Sequence, residues 1–219
     1  MDQQLINLLI NGFGETLYMT LVSSIIAYLF GLPMGVLLVI TDKGHIFENV
    51  WINRILGTLI NILRSVPFLI LLIAVIPITR FITGTTLGST ATIVPLVIGS
   101  APFIARLVES SLKELDAGII EAAHSMGANN SQIILKVLLP ESLPSLIQGA
   151  AIAVTTILGY SAMTGFVGGG GLGDLAIKYG YYRYQTGIML ITVILLVLIV
   201  QFFQEIGIKL ASSSDKRKR

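Results

Sequence analysis

The sequence predicts an all-α integral membrane protein: five transmembrane helices, with two short helices in a charged loop between spans three and four. Three observations carry this expectation. Hydrophobic residues make up 54% of the 219 positions and charged residues only 12%, and the mean hydropathy is +0.86. Soluble domains carry about a quarter charged residues, so this chain must turn much of its surface to lipid. Residues 16–41, 81–105, 142–173 and 184–204 contain no charge, and a fifth gap, 65–79, extends back to Ile55 across the single charge of Arg64. Finally, apolar residues run continuously from Val193 to Val200. Barrel strands would alternate, whereas helices satisfy their own backbone inside a membrane.

The same composition excludes a soluble enzyme, a disordered chain and a classical DNA-binding domain. A net charge of +2 is too small to imply a nucleic-acid partner. With no cysteine, the chain has no disulfide framework, thiolate nucleophile or Cys-ligated metal. No basic leader precedes a short apolar run and a small-residue cleavage site, so no removable signal peptide is expected.

About 20 residues cross the hydrocarbon layer, which places spans at about 17–40, 58–79, 88–107, 143–164 and 185–206. In span one, Gly31 and Gly35 stand four apart, the spacing that lets helices approach closely. Pro33 there and Pro102 in span three can kink their helices. Arg64 sits two turns into span two, where snorkelling to the interface explains it, and Arg80 marks the far end of that span. The fourth gap is too long for one span. Its second half, Gly165 to Gly173, is too glycine-rich for a regular helix and reads as a loop or re-entrant turn. Tyr179, Tyr181, Tyr182 and Tyr184 read as an interfacial aromatic belt. Five spans put the termini on opposite sides. With the N-terminus outside, ten Lys and Arg fall inside and three outside, Arg64 uncounted, which predicts a cytoplasmic C-terminus. The tail Lys216 to Arg219 reads as an anchor for topology and lipid.

Residues 106–141 hold the longest charged stretch. Glu109 and Lys113 have the favourable i, i+4 order, so span three should continue as helix into water. Asp116 can cap a helix from Ala117 to Met126, which Gly127 ends as a C′ residue. Asn129 and Gln132 have capping-box spacing for a second helix, Ser131 to Leu138, ending before Pro140.

Within this loop, Glu121-Ala122-Ala123, then Gly127, Val137 and Leu139-Pro140, form the EAA signature of ABC-importer permeases. The segments Asn61 to Phe68, Ala101 to Arg106, Gly159 to Met163, Gly169 to Asp174 and Tyr179 to Tyr182 resemble the bacterial methionine-importer permeases. The only departure is valine for isoleucine at position 137. The likeness covers nearly the whole chain and implies a single transmembrane domain, 1–219, of the binding-protein-dependent inner-membrane component family, with a coupling element at about 117–139. It further implies a homodimer bound to two ATPase subunits on the cytoplasmic side. A methionine-binding lipoprotein on the outer side would supply L- and D-methionine for transport across the bacterial inner membrane by alternating access.

On that reading Glu121, Ala122, Ala123, Gly127, Leu139 and Pro140 couple the permease to the ATPase. Ala122 and Ala123 would let the partner's surface come close, and Glu121 would anchor it. Tyr160, Ser161 and Met163, near the end of span four, are candidate gate residues. Ser161 and Ala162 are small enough for two copies of the helix to meet, and Met163 is apolar and adaptable. No G-x-x-x-x-G-K-[ST] loop occurs, so this chain is expected to bind no ATP or other cofactor, ATP and Mg being used by the partner ATPase. Ser161 has no base nearby for protease chemistry, and His45 and His124 are too isolated for a metal site. The alternative is a self-sufficient secondary carrier or channel. It should show ion-coupling carboxylates at midspan, and the five predicted spans have none.

Overall fold

A computed structural model describes residues 3–214; the basic tail Lys216 to Arg219, expected to anchor topology, lies outside the described residues. The described chain is helical. α1 (Gln3–Ile40), α2 (Val50–Ser65), α3 (Phe68–Ala74) and α4 (Ile76–Thr83) lead to α5 (Ser89–Lys113). α6 (Ala117–Ser125), α7 (Asn130–Gln132), a π-helical segment Ile133–Leu138 and α8 (Leu139–Glu141) form the charged loop. α9 (Leu143–Met163) runs through a 3-10 turn, Thr164–Val167, to α10 (Gly171–Leu175), a π-helical segment Ala176–Tyr181 and α11 (Thr186–Ser214). Four helices, α1, α5, α9 (with its 3-10 turn) and α11, are long and apolar enough to cross a membrane, and α2 with α3 makes a fifth candidate if that bent pair counts as one span.

The centre of the bundle is α1 against α5. A Cβ on Gly31 would stand 2.6 Å from Ile104 Cγ2, and one on Gly35 would stand 2.6 Å from the Ala105 carbonyl oxygen. Only a residue without a side chain lets the two backbones come this close. Thr92 Oγ1 donates to Met19 Sδ at 2.9 Å further along the same seam. α9 closes the core, with Ser145 Oγ donating to Ser111 Oγ at 3.0 Å and Ile157 fully buried. α11 packs on α9 where Gly207 meets Ala151; its other faces leave Leu190, Ile194 and Leu198 exposed, as a lipid-facing helix requires.

Two boundaries differ from the sequence reading. α1 starts at Gln3, so the helix extends well before the span expected from about residue 17, and Glu15 within it finds a partner in the fold. Its Oε2 accepts from the Gly171 N–H at 2.6 Å, and Thr16 Oγ1 accepts from the Leu172 N–H at 2.8 Å. α1 thus caps the start of α10. Span two is not one helix over 58–79. It breaks at Val66-Pro67, and α2 and α3 meet at 100°. Proline drives its preceding residue out of the helical region, and Val66 sits at φ −80°, ψ 123°. Arg106 of α5 holds α2 in place, donating from Nη2 to the Gly57 carbonyl at 3.0 Å and to Asn61 Oδ1 at 2.8 Å.

Candidate functional site

The charged loop is built from its caps. Asp116 Oδ1 accepts from the Gly118 N–H at 2.7 Å and starts α6. The helix stops at Gly127, φ +80°, where the Gly127 N–H reaches the His124 carbonyl at 2.9 Å and the Ala128 N–H the Ala123 carbonyl at 3.1 Å. A left-handed residue at this position suits glycine. The turn leads into a complete capping box: Gln132 N–H donates to Asn129 Oδ1 at 2.9 Å, and Asn129 N–H to Gln132 Oε1 at 3.0 Å. Helical structure then continues through Pro140 instead of ending before it, by way of the π-helical segment Ile133–Leu138. Proline at 140 has no N–H to give and crowds the preceding turn; a π-bulge is one way a helix absorbs such a misfit.

The six residues expected to couple to the ATPase do not share one face. Glu121, Ala122, Gly127 and Pro140 are exposed, and Leu139 is half-buried. Ala123, expected on the docking surface, is only 3% exposed and packs in the main core with Ile133 and Leu138. Its small size lets α6 lie close on the following segment. Helical spacing carried that signal, since Ala123 follows Ile119 and Ile120 by four and three residues. Sequence reasoning missed the exposed apolar residues of this element, Met126 at 81% and Leu135 at 65% exposure.

At the other end of α9, Tyr160 stacks on Phe68 with ring centroids 4.2 Å apart and planes 4° apart. Ser161 is buried and turned into its own helix, its Oγ donating to the Leu158 carbonyl at 2.7 Å. Ala162 backs onto Gly173 of the returning chain. Ser161 therefore does not offer the small surface for a second copy that its size suggested, while Ala162 stays half-exposed. Met163 is exposed at 43%, and Phe166, not foreseen, is exposed beside it. Of the tyrosine group, Tyr181, Tyr182 and Tyr184 are exposed, while Tyr179 packs into the second apolar cluster beneath the Arg183 guanidinium, 4.6 Å from its ring centroid.

Residues 27–207 match the family described as binding-protein-dependent transport system inner membrane component. The chain belongs to this family. It is the permease subunit of an ABC importer, a multi-pass protein of the inner membrane and not an enzyme. The "Probable D-methionine transport system permease protein MetI" of Vibrio cholerae is 50% identical over 96% of this chain and 94% of its own length. The D-methionine transport system permease protein MetI of Escherichia coli K12 is 50% identical over 75% of this chain and 76% of its own. A chain in a solved structure described as inward-facing conformations of the MetNI methionine ABC transporter superposes with a TM-score of 0.97. It is 46% identical, over 99% of this permease and 100% of that chain. A chain from an amino acid ABC transporter solved with histidines, at 20% identity and TM-score 0.79, shares the fold.

In this permease the glycine-rich segment after α9 is a reversal, as a loop or re-entrant turn requires. Gly165 lies against the backbone of Gly173 and Asp174, where a Cβ would stand 2.7 Å from the Asp174 nitrogen. Asp174 is buried at this reversal; its Oδ2 pairs with Lys178 Nζ at 2.7 Å, while its Oδ1 is buried with no hydrogen-bond partner among the described residues.

Proposed function

We propose that this permease translocates methionine, L- and D-, across the inner membrane by alternating access. It would work as a homodimer with two ATPase subunits that hydrolyse ATP with Mg, and a methionine-binding lipoprotein would deliver the substrate. The observation that carries this reading is likeness over nearly the whole chain to a methionine transporter permease, 46% identical at TM-score 0.97. The segment 117–139, with Glu121, Ala122, Gly127, Leu139 and Pro140, would dock on the ATPase and tilt α5 and α9 between two states. Ala123 would serve it from inside the element. Tyr160 and Met163 would stand at the gate. The N-terminus lies outside and the C-terminus in the cytoplasm, supported by the excess of Lys and Arg on the coupling side.

The test is uptake of labelled methionine by proteoliposomes, with ATPase, ATP and binding protein added in turn. Uptake should require all of them. Uptake by the permease alone would replace this reading with the secondary carrier. Reporter fusions at the N-terminus and at residue 214 should report opposite sides; equal sidedness would remove the orientation.

A further inference from the structure

We infer that the cavity at the α2–α3 bend is a transit subsite within the permease, taking an α-amino carboxylate with a flexible apolar side chain. The inference rests on the importer reading and deepens it. The cavity has a volume of about 220 Å³ and is lined by Arg64, Phe68, Gly99, Phe103 and Tyr160, with Leu63 and Val66 at the bend. That is smaller than the roughly 300–1,000 Å³ of sites for drug-sized ligands, and suits a single amino acid.

Three features give the cavity its chemistry. The first is Arg64. It makes no ion pair among the described residues, and it lies one turn beyond Asn61, which is already engaged by Arg106. Snorkelling was the expected explanation of this charge. Arg64 is exposed in the last turn of α2, where it can still reach the interface, and its place in the lining of an aromatic cavity adds a second role, since charges in membrane segments mark substrate paths. A guanidinium fork takes a carboxylate with two parallel hydrogen bonds. The second feature is the aromatic lining: Phe68 and Tyr160, stacked on each other 4.2 Å apart, and Phe103. Thioethers and straight alkyl chains pack well on such rings, sulfur adding about 0.3–1.5 kcal/mol per contact. The third is the Leu63 carbonyl. Its i+4 partner is Pro67, which has no N–H, so an acceptor is left for an ammonium group at the helix end.

The cavity adjoins the candidate gate, because Tyr160 belongs to both. A substrate passing Met163 would meet the rings first and the guanidinium next. Discrimination within the membrane would then rest on the carboxylate and on the shape of the side chain, independently of the binding protein.

The experiment is equilibrium binding of radiolabelled L-methionine to the purified, nucleotide-free permease–ATPase complex without binding protein, with L-methioninamide as competitor. The wild-type complex should bind methionine saturably, and the amide, which lacks the carboxylate, at least tenfold more weakly. Arg64→Ala should weaken methionine at least tenfold and erase the preference over the amide. Gly99→Ala, whose Cβ would stand 3.1 Å from the Phe68 ring, and Tyr160→Leu should each weaken methionine at least threefold and keep the preference. These two test the cavity even if Arg64→Ala fails to assemble. No saturable binding to the wild type, wild-type affinity in Arg64→Ala, or unchanged affinity in both ring-wall variants would overturn the subsite. Uptake by the complete wild-type importer, measured in parallel, separates the two readings. Absent uptake removes the methionine function, whereas normal uptake with binding that ignores Arg64 removes only the subsite.

Discussion

Arg106 of α5 reaches across to α2 and donates to the Gly57 carbonyl at 3.0 Å, while its other terminal nitrogen is bound to Glu109. A backbone oxygen in the middle of one helix is thereby tied to the charged end of another. Arg106→Ala should detach α2 from α5 and leave the Asn61 amide without its partner. Hydrogen bonds to charged groups contribute about 1.5–3 kcal/mol, so a loss near the lower end is expected because the site is only half-buried. Denaturant unfolding of the solubilised protein measures it, and a wild-type midpoint would show that α2 is held by apolar contacts alone.

The seam between α1 and α5 predicts opposite effects for two glycines of one helix. Gly35→Ala places a Cβ 2.6 Å from both the Ala105 oxygen and Val108 Cβ and should destabilise by about 1–3 kcal/mol, as overpacking does. Gly14→Ala meets nothing within 4 Å and should be neutral or stabilise by up to about 1 kcal/mol through helix propensity. Thermal unfolding of both variants decides; equal shifts would mean that the seam can open without penalty.

The coupling element predicts two kinds of failure. Glu121→Lys changes an exposed side chain, and Gly127→Trp blocks the turn; both should abolish ATP-driven uptake with membrane insertion intact. Ala123→Phe forces bulk between α6 and the buried Ile133 and Leu138. It should instead lower stability by about 1–3 kcal/mol, visible as earlier proteolysis of the loop. Wild-type uptake in both Glu121→Lys and Gly127→Trp would remove this element from the coupling path.

Fold class was legible because lipid selects strongly on composition, and the caps were legible because Asp116, Asn129 and Gly127 act over three or four residues. What escaped was direction. Hydropathy runs unbroken from Ile55 to Thr79 except at Arg64, and carries no sign of a 100° turn. Val66-Pro67 held that sign and was outweighed by apolarity. Glu15 looked like the edge of a span because its partner lies 156 residues away. Among the signature residues, type alone placed Ala123 outward; its spacing from Ile119 and Ile120 placed it inward. At the candidate gate, Ser161 looked free because a serine's own-helix hydrogen bond leaves no mark in sequence.

Exposure separates the residues of the candidate gate. In the cysteine-free chain, Met163→Cys should cross-link to its symmetry mate, strongly without nucleotide and weakly with the ATPase trapped in ATP. Ser161→Cys, at a position only 1% exposed, should not. Cross-linking at 161 but not at 163 would reverse the facing of α9, and none at 163 in intact dimers would move the gate elsewhere.

Lys113 Nζ meets Asp42 Oδ2 at 2.8 Å and, with the Lys43 N–H, holds the Asp42 carboxyl below its ordinary range. A lowered carboxyl stabilises the fold above its unfolded pKa of about 3.9, and that support is lost as the pH falls through the folded value. Both partners are more than a third exposed, so solvent screening keeps the contribution under about 1 kcal/mol. Asp42→Asn should melt slightly below wild type at pH 7, and the gap should close below about pH 4. A gap that widened with acid would assign the wrong sign to this pair.

The reach from Glu15 to Gly171 sets an order in time. α1 is synthesised before α10, yet the N–H groups it caps belong to a segment 156 residues later. Closures over such separations are slow steps in folding. Until the chain has grown past Leu172, the Glu15 carboxylate has no α10 to hold, and the reversal after α9 lacks its brace. This end of the subunit therefore sets only once α10 has emerged, and a ribosome stalled before α10 leaves α1 without that partner.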